Sequence, residues 1–411
     1  MIDMLIRGRI VTPTGATRAG EAQRLRKIGD GCIAIDGGTI ARIGSWSRLK
    51  ALDAKKVVNC SDFLVTPGLI DPHTHLVYAG TRSDEVRMKV RGMSYQEISQ
   101  QGGGIMKTVR DTRKSTKEEL VKIGLKRIDN ALRSGVTTVE IKTGYALTFE
   151  GELMLLGVIN SLRKRSPVRV VRTLLSAHAY PDDYPGTKER YIKEVVLKTV
   201  DLAASQSLAD FVDVFCEPGY FDLVETRAIL EYAKGKGLGI KLHADEFKRS
   251  GGAKLAAELG AASADHLGVA KAEHLERMGK KGIVAVVLPL LFHCTFSRPP
   301  AAEKFRNKSL PVAFGTDCNP NCPIDSVLTS MNHAVYSMKF TPEEALCGST
   351  VNAAKALLLQ RTGVLAEGYD ADVAVFDASD EAELVSKAGV PPLVMSFRGG
   401  RVLHGDTELE D

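Results

Sequence analysis

Between residues 67 and 360 the chain repeats one pattern eight times: a short apolar, β-branched run, then a longer stretch with helical periodicity. The runs are 69–75 (LIDPHTH), 136–142 (VTTVEIK), 169–178 (RVVRTLLSAH), 211–216 (FVDVFC), 239–244 (GIKLHA), 263–267 (SADHL), 282–289 (GIVAVVLP) and 312–317 (VAFGTD). Eight such runs alternating with helices predict an α/β fold, a (β/α)8 TIM barrel spanning 67–360. The two ends of the chain read differently. Residues 1–66 and 361–411 hold short alternating runs with Gly-Gly turns at 37–38 and 399–400. Together they predict a second, small β-sandwich domain built from both termini.

In a barrel the chemistry sits at the C-terminal ends of the strands. Read in order, those ends carry His73 and His75, Lys142, His178, Glu217, His243, His266, Pro289 and Asp317, so five of the nine histidines converge on one mouth. His73 and His75 are one residue apart, and alternate residues of an extended strand share a face. With "KLHADE" and "GTD" at other strand ends, the pattern points to a divalent metal held by imidazoles and a carboxylate. The bland alternatives are a core histidine bonded to a carbonyl at 243 and a helix N-cap at 317.

Other features exclude classes. A net charge of +5, with no Lys/Arg block interleaved with aromatics, argues against nucleic acid. No apolar run approaches the ~20 residues that cross a bilayer. The N-terminal MIDMLIRGRIV has neither the basic segment nor the apolar core of a signal peptide, and seven cysteines lack framework spacing. A cytoplasmic protein with reduced thiols is expected. Cys294, Cys318 and Cys322 contain no C-x2-C pair and read as buried or loop thiols.

The stretches "PGLIDPHTH", "LHADE", "SADHL", "GTD" and "GVLAEGYDADVAVFD" resemble the amidohydrolase superfamily over essentially the whole chain. Longer segments, "DPHTHLVYAGTRSDE", "GMSYQEISQQGGGIMKTVRDTR", "EIKTGYAL", "SAHAYP" and "TDCNPN", are similar to its imidazolonepropionase family. That resemblance implies hydrolytic opening of 4-imidazolone-5-propanoate to N-formimidoyl-L-glutamate in histidine degradation. It implies one zinc or iron ion held by His73, His75, His243 and Asp317, and a homodimer. A divalent ion lowers the pKa of a coordinated water from about 16 to about 7, making a nucleophile at neutral pH.

Roles follow for the residues around it. Asp317 can accept the water's proton, and His266 can orient the water or stabilise the oxyanion. Glu246 matches the family position that shuttles a proton to the ring nitrogen or holds a ring N–H. Arg82, in the first mouth loop, matches the family's substrate arginine and offers a two-pronged partner for the propionate. Tyr145 and His178 match ring- and product-contacting positions, while Asn319, Asn321 and Cys322 occupy a loop where relatives touch substrate.

Lys142 invites comparison with the carboxylated lysine of two-metal relatives, but its place on the second strand is too early, so one metal is expected. The glycines at 102–104 lack the Gly-Lys-Ser/Thr of a phosphate loop and predict a tight turn or lid. Two stretches depart from the family: "LPLLFHCTF" after the seventh strand, and Cys318 after the ligand aspartate. The rival activity is deamination of another nitrogen heterocycle, which would share the metal set. Arg82, Tyr145 and His178 favour the carboxylate-bearing imidazolone. A non-catalytic scaffold would have lost ligands, and none is lost.

Overall fold

The computed structural model describes residues 1–20, 25–387, 389–390 and 392–407. The chain opens with strands β1 (Met4–Pro13), β2 (Leu25–Asp36), β3 (Thr39–Ser45) and β4 (Val57–Pro67). Eight strands follow: β5 (Leu69–Asp71), β6 (Val136–Lys142), β7 (Arg169–Ala177), β8 (Phe211–Cys216), β9 (Gly239–Ala244), β10 (Ser263–His266), β11 (Val284–Val287) and β12 (Val312–Phe314). The last three are β13 (Val373–Phe376), β14 (Leu393–Arg398) and β15 (Arg401–His404).

Strands β5 to β12 pair in sequence order, every neighbour parallel. They are buried on both faces because helices cover the outside, which is why they read as continuous apolar runs. Closure happens just beyond β5 and β12. Thr74 bridges Cys318, the His75 N–H donates to the Cys318 carbonyl at 2.9 Å, and the Asp317 N–H donates to the His73 carbonyl at 3.0 Å. Three of the four expected metal ligands, His73, His75 and Asp317, therefore lie on the segments that seal the barrel.

Strand β5 is shorter than the sequence predicts, since it ends at Asp71. Pro72 has no N–H for a ladder bond. The chain stays aligned because the Asp71 carboxylate accepts the Thr316 hydroxyl at 2.6 Å, the Thr316 N–H at 3.1 Å and the His73 N–H at 3.3 Å. The long first connection holds helices Ser83–Val90, Tyr95–Gln100, Gly104–Arg113 and Lys117–Arg133. Residues 102–104 are a tight turn between two of them. Gly102 and Gly104 have φ of +85° and +69°, and a Cβ on Gly103 would lie 2.7 Å from Ile98 and 2.9 Å from Glu85.

Both chain ends join in one seven-stranded sheet, ordered β15-β14-β13-β4-β1-β2-β3. The two ends meet where β13 runs antiparallel to β4, pairing Ala374 with Thr66. The sheet buries Ile6, Ile33, Val58, Val65, Val373, Met395 and Phe397 as one cluster. Among the described residues, no helix is long and apolar enough to cross a membrane.

Candidate active site

The mouth of the barrel brings His73, His75, His178, His243, His266 and Asp317 together, all buried. His75 Nε2 lies 3.3 Å from His243 Nε2. Asp317 Oδ1 stands 3.5 Å from His73 Nε2 and 3.6 Å from His75 Nε2. Carboxylates stand behind two of the rings. His73 Nδ1 is 2.6 Å from Asp265 Oδ2, and His243 Nδ1 is 2.9 Å from Asp213 Oδ2. The carboxylate on His73 Nδ1 fixes the tautomer that leaves His73 Nε2 as a lone-pair donor. Neither bland alternative fits: His243 faces carboxylate and imidazole rather than a carbonyl, and no helix begins at Asp317, whose φ is +52°.

These donors fit a divalent cation. Burial and neighbouring positive groups hold His73, His75 and His266 well below the ordinary imidazole pKa, so they are neutral donors. His73 Nε2 is buried with no hydrogen-bond partner. Burial pushes the Asp317 carboxyl up to about 7, and a bound cation would favour its carboxylate form. Two sets offer ligand atoms within 4.8 Å of one another: His73, His75 and His243, and His73, His266 and Asp317.

Beneath the imidazoles lies a charged layer that the sequence reading missed. Lys142 Nζ donates to Glu140 Oε1 at 2.7 Å and Asp213 Oδ2 at 2.8 Å, and stands 3.7 Å from Asp265 Oδ2. Lys241 Nζ donates to the Pro72 carbonyl at 2.8 Å and lies 3.4 Å from Glu140 and 3.5 Å from Asp265. All five side chains are fully buried. Burial opposes the charge on Lys142, but Asp213, Glu140 and Asp265 outweigh it and raise its pKa. An ammonium so engaged is no nucleophile toward carbon dioxide, consistent with one metal rather than a carboxylated-lysine pair. The signal was present as single charged residues inside otherwise apolar runs, Asp213 in FVDVFC and Asp265 in SADHL.

Arg82, Tyr145, His178, Glu246, His266, Asp317, Asn319 and Asn321 line one cavity beside His75 and His243. Arg82 is buried, with Nε and Nη2 donating to Glu85 at 2.9 and 2.7 Å. Glu85 also accepts the Gly104 N–H at 2.9 Å, so the glycine turn fixes the arginine. His178 stacks on His75 at 5.1 Å and 17°, with Tyr145 5.2 Å away. Burial and His243 push His178 down to about 3. Glu246 lies 3.5 Å from His266 Nε2, and burial, Asp317 and Glu217 raise its pKa well above the ordinary value.

Cys322 departs from expectation. It does not line the cavity but is fully buried behind Asn319, whose Oδ1 accepts its N–H at 3.1 Å. The loop turns its thiol toward Cys294 instead. Of the two unusual stretches, LPLLFHCTF forms the helix Pro289–Cys294 and puts Leu291 on the cavity wall. Cys318 packs in the apolar cluster with Tyr78, Val327 and Met331.

Residues 64–405 match the Amidohydrolase family. The chain is 42% identical over 380 residues to the imidazolonepropionase of Rhizobium rhizogenes, covering 91% of this chain and 93% of that protein. It is 39% identical over 411 residues to the imidazolonepropionase of Photobacterium profundum, covering 98% and 100%. The chain belongs to the amidohydrolase family, among the imidazolonepropionases. It is thus a hydrolase with a divalent-metal site. The fold also matches an adenosine deaminase from Xanthomonas campestris solved with bound zinc, at a TM-score of 0.75 and 18% identity, covering 100% of this chain and 94% of the other.

Proposed function

We propose that this enzyme hydrolyses the ring amide of 4-imidazolone-5-propanoate to N-formimidoyl-L-glutamate, using one zinc or iron ion held by His73, His75, His243 and Asp317. The observation that carries the reading is the meeting, in one cavity, of that donor set with a buried arginine and a largely buried acid. Three imidazoles and a carboxylate accept either metal. The bound ion supplies Lewis acidity toward the ring carbonyl and a water acidic enough to attack at neutral pH.

The chain's own residues do the rest. Arg82, preset by Glu85, takes the propionate through its guanidinium. His178 and Tyr145 hold the ring against the His75 side of the cavity, and Asn319 and Asn321 offer amides along the opposite loop. Asp317 accepts the proton released as water attacks the carbonyl carbon. His266, a neutral imidazole, donates to the developing oxyanion. Burial, Asp317 and Glu217 raise the Glu246 pKa and so favour its acid form, which delivers a proton to the departing ring nitrogen. The C–N bond breaks, the carbonyl carbon becomes a carboxylate, and the nitrogen ends in the formimidoyl group.

His266 and Asp317 adopt left-handed backbone, at φ of +74° and +52°, which non-glycine residues seldom occupy. Such strain at strand ends is characteristic of residues placed for chemistry. We further assign 67–360 to the catalytic domain and 1–66 with 361–411 to the accessory one, in a cytoplasmic homodimer. The test is direct assay: metal-loaded protein given freshly generated imidazolone propionate should yield N-formimidoyl-L-glutamate and no ammonia. Full metal occupancy without turnover would refute the substrate, and stoichiometric ammonia would favour deamination.

A further inference from the structure

One pair among the seven cysteines is unlike the others. Cys294 ends the helix after β11, and Cys322 sits in the loop after β12, yet their Sγ atoms are 2.9 Å apart. Cys294 is partly exposed, while the other six cysteines are buried. A disulfide bond measures about 2.05 Å, so about 0.9 Å of approach brings the two sulfurs to bonding distance. We infer that Cys294 and Cys322 form an oxidisable dithiol, a modification site whose closure to a disulfide displaces the Asn319–Asn321 wall of the cavity.

Lys89 places an ammonium beside the pair, its Nζ donating to the Cys294 carbonyl at 3.2 Å and to Asn321 Oδ1. The Cys322 thiol and Lys89 both lower the Cys294 pKa against the opposing effects of burial and Asp317, and the thiolate is the reactive form. The oxidant is a peroxide. Cys294 thiolate attacks one peroxide oxygen, the O–O bond breaks, and a sulfenic acid forms with loss of one water after protonation. The Cys322 sulfur then attacks the sulfenic sulfur, the S–O bond breaks, and a second water leaves. Two thiols give up two electrons and two protons, which reduce one peroxide to two waters.

The wall is coupled to the pair through short bonds. Asn319 Oδ1 accepts the N–H groups of Asn321 at 2.8 Å and Cys322 at 3.1 Å, and both asparagines line the cavity. A shift near 1 Å at a substrate-positioning loop costs about 10²-fold in rate, so closure should lower kcat/KM by about 10- to 100-fold.

The experiment treats the metal-loaded enzyme with hydrogen peroxide, counts thiols, maps peptides and assays activity before and after dithiothreitol. The inference predicts that free thiols fall from seven to five, that a 294–322 linked peptide appears, and that kcat/KM drops and then recovers on reduction. Cys294→Ser should keep its basal rate and lose the reversible response. No linked peptide, a linked peptide with unchanged kcat/KM, or the same reversible loss in Cys294→Ser would each overturn it. Thiol count and peptide map need no substrate, so their failure is separate from failure of the assigned reaction.

Discussion

Replacing Asp265 tests whether the layer beneath the imidazoles serves the metal. Asp265 Oδ2 faces His73 Nδ1 at 2.6 Å, its Oδ1 accepts the Ser263 hydroxyl at 2.5 Å, and all three residues are fully buried. Removing such a partner from a metal-bound histidine lowers metal affinity by about 10- to 100-fold, or about 1.4 to 2.7 kcal/mol. Asp265→Asn keeps an oxygen able to accept from Nδ1 but loses the charge, and should fall near the tenfold end. Asp265→Ala loses both and should fall near the hundredfold end. The fold should persist, because Lys142 keeps Glu140 and Asp213 while Lys241 keeps Glu140 and the Pro72 carbonyl. The assay is competition with a chromophoric chelator, alongside thermal melting of the metal-free chains. Wild-type metal affinity in both variants would refute the argument, as would equal losses in both.

Arg82→Ala should raise KM by about 100-fold with metal content unchanged, and should lower the melting temperature because Glu85 is left buried and unpaired. Adding Glu85→Ala should recover the melting temperature and not the KM, whereas recovery of both would remove the propionate role. Glu246→Gln should keep its metal and lose about 10²- to 10⁴-fold in kcat. A raised carboxyl pKa means the acid form persists until pH climbs through that value, so wild-type kcat/KM should fall on the alkaline side. That limb should flatten in Glu246→Gln, and an unaltered pH profile would exclude Glu246 as the proton donor. Full activity should need no added bicarbonate, since the Lys142 ammonium is occupied by Glu140 and Asp213. Bicarbonate-dependent activation would point to a carboxylated lysine.

The barrel was legible because eight doubly buried strands leave eight apolar runs, and the mouth was legible because histidines are rare and strand ends are countable. Local interruptions were not. Pro72 stops β5 at Asp71, so His73 and His75 share a face through the Thr74–Cys318 bridge rather than through a regular strand. Asp213, Asp265, Glu140 and Lys241 stayed hidden because most of their partners come from other strands, at separations such as the 192 residues between His73 and Asp265. Cys322 misled for the opposite reason. Being five residues from Asp317 placed it in the right loop, but the turn around Asn319 sends its thiol away from the cavity.

Anomalous diffraction at the zinc and iron absorption edges, on crystals of the metal-loaded protein, tests the core of this account most directly. One peak per chain is expected, within bonding distance of His73 Nε2, His75 Nε2, His243 Nε2 and an Asp317 oxygen. A peak elsewhere, or a second one against Lys142, would contradict it.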